Sequence, residues 1–315
     1  MKPAGLIINA LSNRNAKTAD GLKQVAARHE GVLIAALEGI EGLGLALDHF
    51  SDAGVDTVII AGGDGTVQAA FTDAINNNRF GNLPKFAVFP CGMTNVIAND
   101  CGVKGDPVKS LEEFLARRAD GLLREQKRSI LSVRRGNAAP IHGFFFGAGA
   151  FHSAVLYSRR KIHKTGAKRG LAFVASIASS LWKAVRDPDE IIEPVEVEFI
   201  DMDGAPKPKT EKQTVLLATT LKALGSGAYP FWGEGAGELA TTAVDYPYKR
   251  LLRAMPNLLR GKSAPWFDDY GYRSWRSGKL TVRFSDKFIL DGEIFDANGN
   301  EDIHLETRHA ITFVN

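Results

Sequence analysis

The sequence predicts an α/β chain in two parts: a parallel sheet covered by helices, then a mostly antiparallel β domain. Three observations predict it. Over the first 130 residues, short runs that are apolar throughout alternate with amphipathic segments of helical spacing, the pattern of strands buried on both faces. From about residue 129 the strands come closer together and several alternate apolar with polar positions. Turn clusters such as Asp203-Gly204-Ala205-Pro206 and Asn298-Gly299-Asn300 divide them. The length, 315 residues, also suits two domains at roughly 100–200 residues each.

In order along the chain, residues 5–9 (GLIIN) read as a buried strand and residues 20–29 as a helix. Residues 32–37 (VLIAAL) form the next strand, and 42–53 have helical spacing. Thr57-Val58-Ile59-Ile60 is β-branched and apolar, and the segment behind it opens a helical pattern that runs to Ile75. Residues 86–89 are a further buried strand, and residues 111–116 sit in a helix whose Glu112, Glu113, Arg117 and Arg118 favour i,i+4 pairing. In the second part, strands are predicted at 130–133, 144–146, 195–200, 214–219, 280–284, 288–290, and 304–305 with 311–314. Helical segments near 150–163 and 171–185 interrupt them. The boundary falls near 126–130, giving domains 1–128 and 129–315, with the extreme C-terminus expected to pack back on the first. No internal repeat or low-complexity tract is present.

Composition narrows the class. Hydrophobic residues at 44% and charged residues at 24% are ordinary globular values and exclude a disordered or fibrous chain. A net charge of +3 is too mild to indicate nucleic acid, and no nucleic-acid-binding motif is found. Cys91 and Cys101 cannot build a disulfide framework. The N-terminal apolar run ends at Asn9, too short for a signal peptide. The longest apolar stretch, residues 171–182, has 12 residues with three serines, where a membrane span needs about 20. The expectation is a cytoplasmic protein able to lie on a membrane without crossing it.

The 32 glycines matter by position. Gly62-Gly63-Asp64-Gly65-Thr66 stands between an apolar strand and a helix, where glycines let the backbone approach a phosphate and free amides at the helix N-terminus face the anion. Asp64 offers a carboxylate to a hydroxyl or a metal, and Thr66 can cap the helix or touch a phosphate. A plain strand–helix turn would need one glycine rather than three. Pro90-Cys91-Gly92-Met93-Thr94-Asn95 follows the next strand. In an open α/β sheet, loops at the carboxyl ends of adjacent strands share one crevice, although Thr94 also suits a simple N-cap. The loop from Asn9 through Ser12 and Asn13 to Asn15 belongs to the same rim. Asp291-Gly292-Glu293 closes an apolar strand with two carboxylates; Asp-Gly is equally a favoured hairpin turn.

Together, Gly62 to Thr66, Pro90 to Asn95 and Asp291 to Glu293 resemble the diacylglycerol kinase catalytic family, which includes bacterial lipid kinases, sphingosine kinases and ceramide kinases. Order and separation match along nearly the whole chain. Residues 147–155 (GAGAFHSAV) are similar to the family's glycine-aromatic stretch. The first motif alone is shared with NAD kinases; the C-terminal Asp-Gly-Glu makes the lipid-kinase likeness specific. The resemblance implies a Rossmann-like, NAD kinase-like three-layer nucleotide domain, a C-terminal β-sandwich for the lipid, and ATP with Mg²⁺ in the cleft between them. It implies ATP binding by Asn9, Gly62, Gly63, Asp64, Gly65, Thr66, Gly92, Thr94 and Asn95. Asp291 is implied as general base, with Asp64 the alternative, and Glu293 and Asp64 as metal ligands. The chain departs from the family where Ala10 and Asn13 replace Pro and Gly, where Met93 replaces threonine, and around Pro230-Phe231-Trp232-Gly233.

A lipid acceptor calls for a docking surface. Arg159-Arg160-Lys161, His163-Lys164 and Lys168-Arg169 lead into the apolar stretch ending at Trp182. Between Lys249 and Trp266, Lys249, Arg250, Arg253, Arg260 and Lys262 mix with Leu251, Leu252, Leu258 and Leu259. Basic residues with Leu and Trp are what an interfacial helix presents to anionic lipid; a solvated helix face is the bland alternative. The expected partners are therefore a lipid substrate at the inner membrane face and anionic lipid, with no nucleic acid; a homodimer is compatible with the sequence. The rivals are an NAD kinase-like soluble nucleotide kinase, against which no Asn-Thr-Asp-Glu segment appears, and a catalytically inactive nucleotide-binding homologue. Gly261-Lys262-Ser263 is no P-loop, because Pro256 occupies the first glycine position. HExxH and GxSxG patterns are absent.

Overall fold

The computed structural model describes residues 1–9, 16–92, 95–153, 155, 194–205, 207–224 and 228–315. The chain divides into two compact units, Met1–Arg128 with Ala310–Asn315, and Ser129–His309.

The first unit is built on β1 (Ala4–Asn9), β2 (Val32–Leu37), β3 (Thr57–Gly62) and β4 (Lys85–Pro90), parallel and ordered β2-β1-β3-β4. β1 and β3 are buried at every position, which is why each reads as a continuous apolar run. The end of the last strand of the chain lies parallel beside β4, with Phe313 opposite Phe86. Helices α1 (Ala16–Ala27) and α5 (Pro107–Ala119) cover one face, setting Leu22, Val25, Phe114 and Leu115 on Leu6, Ile8, Ile59 and Phe89. Pro107 opens α5 behind Asp106, whose carboxylate accepts from the amides of Val108 and Lys109 at 3.2 and 3.1 Å. On the other face are α2 (Leu43–Asp52) and α3 (Asp64–Asn76). Phe50 of α2 lies so close over β1 that a side chain on Gly5 would meet its ring at 2.4 Å. Phe71 of α3 sits edge-on to Phe86 at 4.9 Å and to Phe313 at 5.9 Å. The result is the three-layer α/β unit that the sequence predicts.

The second unit is a β-sandwich. One sheet runs β12 (Tyr272–Ser277), β11 (Leu239–Asp245), β10 (Lys212–Thr219), β7 (Phe145–Gly149), β14 (Lys287–Leu290), β15 (Glu293–Asp296), with β8 (Val195–Glu196) on β10. All of its pairings are antiparallel. The other contains β5 (Glu125–Arg135), β6 (Ile141–Gly143), β9 (Glu198–Asp201), β13 (Lys279–Arg283) and the first part of β16 (Ile303–Val314). Leu131, Val133, Phe146, Leu216, Leu280 and Phe288 pack between the sheets, with Phe146 stacked on Phe288 at 5.2 Å. The outer face of the first sheet is covered too: Val244 and Tyr272 pack against Leu251, Ala254 and Leu258 of the helix Leu251–Leu259.

Several elements differ from the sequence reading. β11 (LATTAVD) is buried at all seven positions, so its Ala and Thr residues show no alternation. β12 (YRSWRS) carries charge in a sheet covered on both faces. Residues 195–200 split into β8 and β9 at Val197, the segment around 144–146 splits at Phe144, and 304–305 with 311–314 form one strand. Of the helix expected near 150–163, residues 150–153 and 155 are helical; its remainder, like the segment 171–185 and the basic stretch 159–169, lies outside the described residues. Among the described residues no helix is long and apolar enough to cross a membrane.

Candidate active site

In the first unit the strand order reverses between β1 and β3, and a crevice opens at the carboxyl ends of the strands flanking such a switch point. Asn9 ends β1 and Gly62 ends β3. Across the switch point Asn9 Nδ2 donates to Thr66 Oγ1 at 2.9 Å, both residues buried. α3 then starts with Gly63 as its N-cap, in extended backbone and with no side-chain cap hydrogen bond. The amides of Thr66 and Val67 turn back to the Gly63 carbonyl at 3.0 and 3.1 Å. A helix leaves its first amides without intrahelical acceptors, the general condition under which helix starts bind anions.

Asp64 stands in the first turn of α3 but does not serve that helix. Its Oδ2 accepts from the amide of Val96 at 3.1 Å and its Oδ1 from that of Ile97 at 3.2 Å. Those are the first residues of α4 (Val96–Cys101), so Asp64 ties the start of the next helix to its own. The sequence offered this carboxylate to a hydroxyl or a metal; the structure sets both of its oxygens on amides.

The second loop locks onto the first. The Gly92 amide donates to Asn95 Oδ1 at 2.7 Å, and Asn95 Nδ2 donates back to the Gly92 carbonyl at 3.0 Å. Asn95 adopts the left-handed region (φ 51°), which asparagine tolerates better than most side chains. The Cys91 amide donates to the Gly62 carbonyl at 3.3 Å. A Cβ on Gly92 would lie 2.5 Å from Gly63 Cα, so the two loops meet backbone to backbone. At the far end of α4, Asp100 Oδ2 accepts from Arg128 Nε at 2.7 Å in a largely buried pair, which sequence reasoning did not find. Met93, Thr94 and the loop residues Ser12, Asn13 and Asn15 lie outside the described residues.

In the second unit, Asp291 and Gly292 are the two central residues of the β14–β15 hairpin, with Leu290 opposite Glu293. Their φ values of 49° and 89° are those of the hairpin turn Asp-Gly favours. The turn reading holds, and Asp291 is buried as well as being part of the turn. Its Oδ2 accepts from the amide of Phe144 and its Oδ1 from that of Phe145, each at 2.9 Å. Gly143 makes room for it: a Cβ there would meet Asp291 Oδ2 at 2.4 Å. Nothing in the sequence flagged Gly143. Glu293 is exposed at the start of β15. Nearby in the chain, His142 is buried, its Nδ1 2.9 Å from Ser132 Oγ and its ring 5.8 Å from that of His309. Burial, with a smaller contribution from His309, lowers its pKa to about 4.

Residues 3–122 match the family model of the diacylglycerol kinase catalytic domain. β1 through α5 and both glycine loops fall inside that match. Over those residues the chain is similar to a diacylglycerol kinase catalytic domain, in keeping with the resemblance read from the motifs. Three solved structures of Bacillus anthracis strain Sterne proteins assigned as diacylglycerol kinases align with 99% of this chain and 96% of theirs. Their TM-scores are 0.64, 0.61 and 0.62, at 14%, 14% and 13% identity; what is shared at that identity is the two-domain fold. No curated protein matches the sequence.

Proposed function

We propose that this chain is an ATP-dependent lipid kinase that transfers the γ-phosphate to a primary hydroxyl of a membrane lipid, diacylglycerol or a sphingoid or ceramide-type lipid. The observation that carries the reading is the uncapped N-terminus of α3 behind Gly62 and Gly63 at the sheet's switch point, in a chain whose residues 3–122 are similar to a kinase family's catalytic domain. Phosphoryl transfer asks a protein mainly for positioning and charge stabilisation. The backbone around Gly63 to Thr66 meets the phosphates, Asn9 fixes the Thr66 hydroxyl, and Asn95 fixes Gly92. Thr94 is carried as a further phosphate contact by resemblance. Asp64 acts as the positioning residue that holds α4 against α3.

Asp291 is the proposed base. Its carboxylate, held by the amides of Phe144 and Phe145, is the group that would receive the acceptor's proton. Among the described residues no group of three or more His, Cys, Asp or Glu could hold a metal by itself. Mg²⁺ carried on nucleotide phosphates takes only about one or two carboxylates from the protein. Exposed Glu293 is the proposed ligand, and the ion when bound supplies neutralisation of phosphate charge.

Incubating the purified chain with γ-labelled ATP and a panel of diacylglycerol, sphingosine and ceramide in mixed micelles tests this. We expect label in an organic-extractable lipid, abolished by EDTA. Label appearing in NAD instead, or in none of the lipids, would overturn the reading.

A further inference from the structure

We propose that the helix Leu251–Leu259 and its flanks form an interfacial surface that docks the protein on an anionic phospholipid bilayer. The choice of a bilayer deepens the lipid-kinase reading and rests on it. The helix is apolar on two sides. Leu251, Ala254 and Leu258 face inward and pack with Val244, Phe267 and Tyr272. On the opposite side, Leu252 and Leu259 are 48% and 40% exposed, with exposed Pro256 between them. Spacings of four and three residues put these three on one stripe. A helix needs one apolar face to pack on its own sheet; the second apolar stripe has no such use.

Charge surrounds that stripe. Lys249, Arg250, Arg253, Arg260 and Lys262 are all exposed, and no acidic residue occurs between Asp245 and Asp268. None of the five takes part in an ion pair among the described residues. Two are held in place by rings: Arg250 lies 4.5 Å from the centre of the Tyr270 ring and Arg253 5.6 Å from that of Trp266. The platform is anchored at both ends. Tyr272 Oη donates to the Lys249 carbonyl at 2.6 Å, and the Tyr229 amide to that of Leu259 at 3.0 Å. Unpaired cations suit any polyanion, but leucines exposed along the same helix suit only a partner with an apolar interior. Anionic headgroups over acyl chains supply both.

Vesicle co-sedimentation at physiological salt tests the proposal, with no nucleotide or acceptor lipid present. Vesicles of phosphatidylcholine alone are compared with vesicles containing roughly one-third phosphatidylglycerol. Wild-type chain should sediment with the anionic vesicles and stay in solution with neutral ones. Each basic residue at an anionic surface contributes about fivefold in partitioning. The triple variant Lys249→Gln, Arg260→Gln, Lys262→Gln should therefore bind about a hundredfold more weakly. The double variant Leu252→Gln, Leu259→Gln should lose at least about tenfold. Circular dichroism melts that match wild type keep the comparison on the surface rather than on folding. Equal recovery with neutral and anionic vesicles, no recovery with either, or unchanged binding in both variants overturns the proposal. So does tighter binding to a random DNA duplex than to the anionic vesicles. Docking without lipid phosphorylation would sink the kinase reading alone; phosphorylation of a water-dispersed short-chain acceptor without docking would sink this one alone.

Discussion

Replacing Gly92 with alanine tests whether the two glycine loops work as one backbone surface. The added Cβ would sit 2.5 Å from Gly63 Cα and 3.0 Å from Asn95 Oδ1, where ordinary contact begins at 3.4 Å. Because the nearest atom is backbone, it cannot swing aside as a side chain would. The loops must part by nearly an ångström, pulling on the Cys91 amide bond to Gly62 and on the paired bonds between Gly92 and Asn95. Overpacking of this kind costs about 1–3 kcal/mol, and a misplacement of that size in a positioning loop costs about 10²-fold in rate. We expect kcat/KM for ATP to fall about a hundredfold and Tm by about 2–8 °C.

Gly81→Ala is the control, since no atom lies within 4 Å of its added Cβ; it should be neutral or slightly stabilising. Steady-state kinetics and a thermal melt on the two variants decide the matter. Wild-type kcat/KM in Gly92→Ala would refute the reasoning, and an equal loss in Gly81→Ala would show that the contact is not its cause.

Asp64→Asn turns an amide donor toward one of the α4 amides and should cost about 1–2 kcal/mol in urea unfolding, with faster hydrogen exchange at Val96 and Ile97. Asp291→Asn should lower kcat by at least about 10²-fold in the lipid assay; turnover near wild type would remove it as the base. His142 gives a pH dependence of known sign. Its pKa is about 4 when folded against 6.5 for an ordinary histidine, so the unfolded chain binds a proton between those values that the folded chain refuses. Stability from this group is full above pH 6.5 and falls as the pH drops to about 4, by about 3 kcal/mol at the limit. Denaturant midpoints across that range should slope in wild type and flatten in His142→Asn.

What was legible in the sequence follows from how each strand is covered. β1, β3 and β4 are apolar in sequence because parallel strands between two helix layers bury both faces, and their loops could be placed from the strand ends alone. β11 and β12 are also covered on both faces, but by a second sheet and by the segment carrying the helix Leu251–Leu259. Small and hydroxylated residues fill β11, and its Thr242 hydroxyl bonds to the Pro230 carbonyl at 2.6 Å. Neither an apolar run nor an alternation results. β16 reads as two strands because Arg308, His309 and Ala310 are exposed in its middle, where the chain leaves one compact unit for the other. Motif position and resemblance singled out Asp64 and Asp291, but their partners lie 33 and 146 residues away. No local spacing encodes such a pairing.

Those pairings bear on how activity losses are to be read. Asp64 and Asp291 use one device: a carboxylate spans two consecutive amides and fixes where a neighbouring element begins. A substitution at either removes a potential chemical group and a structural tie together, so loss of turnover alone assigns neither role. Gly143→Ala separates them for Asp291. Its Cβ would fall 2.4 Å from Asp291 Oδ2, which displaces the carboxylate from the Phe144 and Phe145 amides while leaving its charge in the protein. Asp291→Asn keeps the shape and removes the charge. Each should cost about 1–3 kcal/mol in urea unfolding. If Asp291 only ties β14 to β7, the two variants lose kcat in proportion to their lost stability. If it is the base, Asp291→Asn falls at least about tenfold further in kcat than Gly143→Ala at equal stability. Its residual rate should then rise with pH as hydroxide replaces the missing acceptor, while that of Gly143→Ala keeps the wild-type profile. Matching profiles in the two variants would leave Asp291 a structural tie.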